Sequence, residues 1–197
     1  MLSQNNKSSV ISGVGDTFLL KKLIISAKNG DSKAFEEIYK HLYTPLYRYT
    51  FSKCHDKDLA LDVCQQTFLN FYGALASYKP EKSPLAYLFT IAKRLLINHS
   101  IKKTHSSFDE TLLETYSDTS VAILDDAHVR LLSEKINDYL PSLSEQEQEV
   151  IRLYFYAELT YKEIGEALEK EEVYIRKIKE RALKKLRILT LHLYEGN

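Results

Sequence analysis

No apolar run in the sequence approaches the roughly 20 residues that a membrane-crossing helix needs, so nothing in it reads as a bilayer span and no membrane insertion is expected. Met1 to Gly15 is polar and rich in Ser and Asn, unlike a secretory leader; a disordered tail over 1–15 and a cytoplasmic location are expected. Cysteine is almost absent. Only Cys54 and Cys64 occur, with no Cys-x-x-Cys pair. Cys54-His55 with Cys64 is a poor donor set for a metal, and buried, reduced, structural thiols are expected instead. A nucleophile–base pair, a glycine loop able to cradle phosphate and a metal-ligand spacing are also missing, so the chain does not read as an enzyme and no cofactor is expected. Sustained period-two alternation, which a half-buried strand needs, is absent as well.

Net charge is the last thing lacking, since 27 Lys and Arg balance 27 Asp and Glu. The balance hides a strong asymmetry. Thr104 to Val129 contains no Lys or Arg, while Asp109, Glu110, Glu114, Asp118, Asp125 and Asp126 make it acidic, with Ser and Thr between them. Such a stretch reads as a linker over 104–126, separating a unit at 16–103 from one at 127–193. A chain of 197 residues holds one or two compact domains. The fold expected is all-α: two small helical domains joined by a flexible acidic linker, the C-terminal one a helix-turn-helix.

The C-terminal unit carries the clearest signals. Ser144-Glu-Gln-Glu147 and Thr160-Tyr-Lys-Glu163 each place a hydroxyl three residues before a Glu, the reciprocal cap of a helix start. Leu159 to Leu168 then leads at once into a basic helix, Glu171 to Leu189. In that helix Ile175, Ile178, Ala182, Leu186 and Leu189 form one apolar stripe. Lys170, Arg176, Lys177, Lys179, Arg181, Lys184, Lys185 and Arg187 fill the remainder, against Glu171, Glu172 and Glu180. A cationic helix presented by a capped helix pair suits the major groove, with phosphate contacts setting register and N-terminal side chains reading base edges. A merely solvated cationic face is the alternative, and the capped pair in front of it weighs against that.

The N-terminal unit also reads as helices. Asp31 caps one with Ala34, Phe35, Ile38, Leu42 and Leu46 on one side, which Pro45 should bend or interrupt. Asp56 starts another through about Ser77, and Ser83-Pro84 opens a third with Leu85, Leu88, Ile91, Ala92, Leu95 and Leu96 inside. Tyr39, Tyr43, Tyr47 and Tyr49 cluster near Pro45 and read as packing rather than as a stacking platform. Within the Asp56 helix, Asp58, Asp62 and Gln65 share a face with Gln66 beside it, while Phe68, Phe71 and Leu75 turn elsewhere. No His or third carboxylate joins that face in sequence. A solvated face and a partner-docking ridge both remain open.

Asn29 to Phe35, Asp58 to Phe68, Leu85 to Lys93 and Leu140 through Leu186, in that order, together resemble the extracytoplasmic-function (ECF) sigma factors of bacterial RNA polymerase, within the sigma-70 family. The resemblance covers both units. It implies that Asp58, Asp62, Gln65 and Gln66 grip the clamp helices of the polymerase beta-prime subunit. It implies that Tyr87, Lys93, Arg94, Asn98, Lys102 and Lys103 open and hold the minus-10 element, and that Glu172, Tyr174, Arg176, Lys177, Lys179, Arg181 and Lys184 meet the minus-35 element. The beta flap and an anti-sigma factor would be further partners, and the linker would run toward the RNA exit path. The chain departs from the family at DNA-contacting places. Tyr87 stands where Trp is usual, Arg94, Asn98 and Ile101 where Asn, Asp and Arg are usual, and Tyr174 where Thr is common. The turn that usually reads Gly, aliphatic, Ser is Glu169-Lys170-Glu171, so a Glu must take up the left-handed backbone, at a cost on the order of 1 kcal/mol. Glu171 and Glu172 suit the helix dipole but repel phosphate, leaving either base reading at cytosine or a weakened minus-35 contact. Two other readings share these residues: a helix-turn-helix regulator acting without polymerase, and a sigma-derived protein-interaction module that no longer directs initiation.

Overall fold

The structure, a computed structural model, describes residues 14–79, 83–106 and 138–191. The expected tail and linker lie outside these residues, except that 14–15 and 104–106 belong to helices. Among the described residues there are helices and no strands: α1 (Val14–Lys28), α2 (Ser32–Cys54), α3 (Lys57–Ala74), a 3-10 turn (Leu75–Ser77), α4 (Pro84–Ser106), a second 3-10 turn (Leu140–Ser142), α5 (Glu145–Phe155), α6 (Tyr161–Leu168) and α7 (Glu172–Leu191).

The helix starts follow from their caps. Asp31 accepts hydrogen bonds from the amides of Lys33 and Ala34, Asp56 from Leu59 and Ser83 Oγ from Ala86. Ser144 and Thr160 each complete a capping box with the Glu three places on. Of the bend or interruption expected at Pro45, the interruption does not occur: α2 continues through it from Ser32 to Cys54. Proline removes one helical hydrogen bond, but Leu42, Leu46, Tyr47 and Tyr49 on either side are buried, and burial of apolar side chains at roughly 1.5–3 kcal/mol each outweighs that loss. The helix α1 has no counterpart in the sequence expectations. Its apolar residues Phe18, Leu19, Leu20, Leu23, Ile24 and Ile25 crowd together rather than marking one stripe, and Leu20, Ile24 and Ala27 are the ones buried.

In the N-terminal unit Ile24, Ile38, Leu42, Leu46, Val63, Phe71, Leu88 and Phe89 form the core between α1, α2, α3 and α4. The tyrosines do pack: Tyr47 and Tyr49 are buried, and rings stack along α2 from Tyr39 to Tyr43 to Tyr47 to Phe51. Cys64 is fully buried and Cys54 half-buried, both unpaired. Burial pushes the Cys64 thiol up to about 12, so it stays protonated.

The C-terminal unit is tied together by Glu147, which is completely buried. Its Oε2 accepts from the Ser144 amide at 3.0 Å and from Lys185 Nζ at 2.9 Å, and its Oε1 from Arg181 Nε at 2.7 Å. Burial alone would raise its pKa; Lys185, Ser144 and Arg181 more than reverse that and hold it at about 2, against an ordinary 4.5. A carboxyl depressed on folding stabilises fully above its unfolded pKa, and that contribution is lost as pH falls through the interval from 4.5 toward 2. The urea midpoint of the chain is therefore expected to drop across that interval, and Glu147→Gln is expected to flatten the drop. A midpoint as steep in the variant as in the wild type would remove Glu147 from this role.

Candidate nucleic-acid interface

The turn between α6 and α7 sets the geometry of the helix pair. Glu169 ends α6 in the left-handed conformation, φ 55° and ψ 46°, as the missing glycine requires of it. The chain then doubles back over α6 so closely that a Cβ on Gly165 would stand 2.5 Å from the Lys170 carbonyl oxygen. Gly165 thus fixes how α7 leaves the turn. Ile164, Ile175, Ile178, Ala182 and Leu186 are buried and Leu189 is half-buried, so the expected stripe faces inward.

The opposite face of α7 is less cationic than its composition suggests. Arg181 and Lys185 turn back onto Glu147. Lys179 Nζ lies 3.7 Å from the centre of the Tyr154 ring and donates to Tyr161 Oη at 2.8 Å, with Tyr154 and Tyr161 stacked on each other. A hydrogen bond from Lys179 to Tyr154 as well holds that hydroxyl below its ordinary pKa. Arg176 pairs with Glu172 at 3.0 Å and lies 5.1 Å from the Tyr161 ring centre. A buried carboxylate and an aromatic pair, contributed by other elements, thus hold Arg181 and Lys179, although the Arg181 side chain stays 58% exposed. Among the described residues, Lys177 and Lys184 are exposed and make no ion pair, and Glu172 and Tyr174 are exposed at the start of the helix. Tyr174 Oη reaches Gln146 Oε1 only at 3.4 Å.

Truncating the free cations is expected to show the difference. Lys177→Ala and Lys184→Ala should each reduce the log–log salt slope of DNA binding by about 0.9, the share of one phosphate contact. Arg181→Ala should lower thermal stability and leave that slope nearly unchanged. Equal slopes in all the variants would mean that this face does not meet phosphate.

In the N-terminal unit the outer face of α3 carries Asp58, Asp62, Gln65 and Gln66, all exposed. Leu61 and Leu69 are exposed on the same face, 40% and 58% accessible. Gln66 Nε2 donates to Asn70. His99, from α4, comes within 3.6 Å of Asp62, a neighbour that the helix register of α3 alone cannot reveal. On α4, Tyr87 is half-buried and leans on Tyr78 and Phe71, with ring centres 5.3 and 6.0 Å apart. Lys93 is half-buried, and Arg94 and Asn98 are exposed. Lys102 and Lys103 lie in the last turns of α4, and their side chains are outside the described residues. No group of His, Cys, Asp and Glu suited to a metal ion occurs among the described residues, and no described helix is long and apolar enough to cross a membrane.

Residues 38–105 match the family model of sigma-70 region 2, and residues 139–187 match that of sigma-70 region 4. The chain is 28% identical over 155 residues to the ECF RNA polymerase sigma factor SigM of Bacillus subtilis, a match covering 78% of this chain and 93% of that one. It is 32% identical over 146 residues to the RNA polymerase sigma factor YlaC of the same organism, covering 72% and 82%. The fold is shared with CnrH, solved in complex with the cytosolic domain of CnrY, at a TM-score of 0.66 and 20% identity over 91% of this chain and 99% of that chain. It is shared also with RpoE of Bartonella quintana, solved with the anti-sigma factor NepR, at 0.61 and 19% over 80% and 96%. With both regions present, in order and on the elements that the helix caps define, the chain belongs to the ECF group of the sigma-70 family, the sigma factors that direct transcription initiation by bacterial RNA polymerase.

Proposed function

We propose that α3 docks the chain on the beta-prime clamp helices of core polymerase through Asp58, Asp62, Gln65 and Gln66, with Leu61 and Leu69 as apolar anchors within the same face. The observation that carries this is an exposed face mixing carboxylates, amides and large aliphatic side chains on one helix. Charge-assisted hydrogen bonds give such a contact direction, and the leucines give it area. Tyr87, Lys93, Arg94, Asn98, Lys102 and Lys103 hold the minus-10 element in this scheme. Glu172, Tyr174 and Arg176 read the minus-35 element, with Lys177 and Lys184 on its phosphates, while Lys179 and Arg181 support the helix from behind. The linker at 104–126 separates the two units, the tail at 1–15 takes no part, and the beta flap receives the C-terminal unit.

The chain acts in the cytoplasm and performs no covalent chemistry. An anti-sigma factor is its proposed antagonist, by analogy with RpoE, which shares the fold and was solved with NepR. Photocrosslinking tests the assignment. A benzophenone amino acid at position 98 of the holoenzyme should crosslink near minus-10 and one at position 174 near minus-35. Crosslinks from position 174 that appear without core polymerase, at one defined sequence, would instead favour a free-standing regulator.

A further inference from the structure

The outward face of α1 takes no part in the roles proposed above. Leu20, Ile24 and Ala27 turn inward against α2 and the first 3-10 turn, so the opposite side of the helix faces solvent. Phe18, Lys22 and Ile25 recur there at spacings of four and three, and Phe18 and Ile25 are 61% and 51% exposed. Leu19 borders this ridge at 42%. The Lys22 ammonium sits over the Phe18 ring, 4.6 Å from its centre. Beside the ridge Lys21 is half-buried and Lys28 exposed, Lys28 Nζ donating to the Tyr78 carbonyl at 2.9 Å. No Asp or Glu occurs from Phe18 to Asn29. Asp31, just past the helix, has its carboxylate engaged by Ser26 Oγ and by the amides that it caps.

Several other large exposed apolar side chains fall where a proposed partner covers them: Leu61 and Leu69 on the docking face, Ile97 and Ile101 beside Arg94 and Asn98 on α4, Val173 and Tyr174 at the start of α7. The α1 ridge has no such partner. A second copy fits poorly, because an isologous contact sets Lys21, Lys22 and Lys28 against their own equivalents with no carboxylate between them. A few side chains also fall well short of the roughly 800 Å² per partner that a stable interface buries. Nucleic acid attracts the lysines, but Leu19 and Ile25 offer no ring on which a base can stack. An anionic lipid surface satisfies both halves of the ridge, its headgroups taking the lysines and the boundary of its acyl chains taking the apolar side chains. With 15 residues α1 is too short to cross a bilayer, so it lies along the surface.

We propose that α1 is a membrane-surface contact: Phe18, Leu19 and Ile25 enter the headgroup region of an anionic bilayer while Lys21, Lys22 and Lys28 pair with its phosphates, seating the chain reversibly on the surface. The lysine stems run along the apolar ridge and keep their ammonium groups at headgroup level. Three cations and three apolar side chains make a weak contact, one that rising salt releases. Because α1 carries none of the docking or promoter roles, this inference stands or falls apart from them.

The test uses the full chain, sedimented at low salt with vesicles of phosphatidylcholine carrying about 30 mol % phosphatidylglycerol. The partition coefficient is expected to exceed that for phosphatidylcholine alone by about a hundredfold, the share of three lysines at the surface. Lys21→Gln with Lys22→Gln should lower it by about thirtyfold, and Phe18→Ser with Ile25→Ser by about tenfold. Lys57→Gln with Lys162→Gln, the same charge change at exposed sites of α3 and α6, should lower it by less than about threefold. The sequence has no tryptophan, so Phe18→Trp places a single fluorophore in the ridge. Its emission should move to the blue on the anionic vesicles, whereas that of Phe155→Trp, exposed on α5, should stay put. No binding to the anionic vesicles would overturn the proposal and leave the ridge to a protein partner. A serine pair that binds like wild type, a loss matched by Lys57→Gln with Lys162→Gln, or an unmoved Phe18→Trp emission would overturn it too, as adsorption by charge alone.

Discussion

Asp62→Arg combined with Gln65→Ala is expected to abolish co-purification with core RNA polymerase while leaving helical content and melting temperature close to wild type. Both side chains are exposed on α3, and substitutions at such positions usually change folding stability by no more than about 0.5 kcal/mol. The binding effect is of another size. Reversing a charge that meets a cationic partner in an interface removes a favourable pair and creates a repulsive one, together roughly 2–5 kcal/mol or more. That is a loss of between thirtyfold and several thousandfold at 1.4 kcal/mol per decade. The larger effect therefore lies entirely in docking. Asp62 also loses its neighbour His99 at 3.6 Å, but with both side chains substantially exposed that pair contributes little. Core association retained at wild-type strength by the double variant would remove the α3 face from the docking surface.

Gly165→Ala is expected to destabilise the C-terminal unit by about 2 kcal/mol, and to weaken promoter recognition further than the stability loss alone explains. Two effects oppose each other. Alanine in a helix interior is favoured over glycine by roughly 1 kcal/mol. Against that, the new Cβ would stand 2.5 Å from the Lys170 carbonyl oxygen and 3.7 Å from the Glu172 amide nitrogen. The neighbour is backbone and cannot rotate away, so the turn itself must move, and overpacking of this kind costs about 1–3 kcal/mol before any loss of neighbouring contacts. The clash wins. Because the displaced segment is the one that aims α7, Glu172, Tyr174 and Lys177 shift with it. A Gly165→Ala variant as stable as wild type in urea would show that the turn has more room than this geometry allows.

The helix starts were legible because each is a local event: Asp31, Asp56, Ser83, Ser144 and Thr160 cap helices over the next three residues, with nothing distant required. The left-handed Glu169 was legible for the same reason, since a turn of that length demands a positive φ whichever residue occupies it. The α3 face could be read as exposed because the buried positions Val63, Cys64, Thr67, Phe68 and Phe71 fix the helix register. What escaped depends on partners far along the chain. Counting cations on α7 could not show that Glu147, 34 residues before Arg181, would claim it, or that Tyr154 and Tyr161 would cage Lys179. A local rule allows Pro45 either a bend or a break, and the burial on both sides that carries the helix through it belongs to the tertiary fold. The contacts between Tyr49 and Glu149, and between Ser83 and Glu163, have no sequence signature at all, since neither side bears a pattern that names the other.

The cation inventory of α7 also bears on the departures from the family pattern. Glu171 and Glu172 stand at the helix start, where they suit the dipole, and Glu172 holds Arg176 at 3.0 Å. Part of the proposed recognition surface is therefore internally neutralised, and the proposal leaves phosphate attraction chiefly to Lys177 and Lys184. Tyr174, exposed beside them, offers both an aromatic face and a hydroxyl toward a base edge.

The central claim is that this chain gives core polymerase its choice of start site. Mapping transcript 5′ ends on genomic DNA of the source organism, after reconstitution of purified chain with bacterial core enzyme, tests it most directly. The account predicts a defined set of start sites that share one upstream sequence pair and appear only when both components are present. Start sites unchanged from those of core enzyme alone would contradict it.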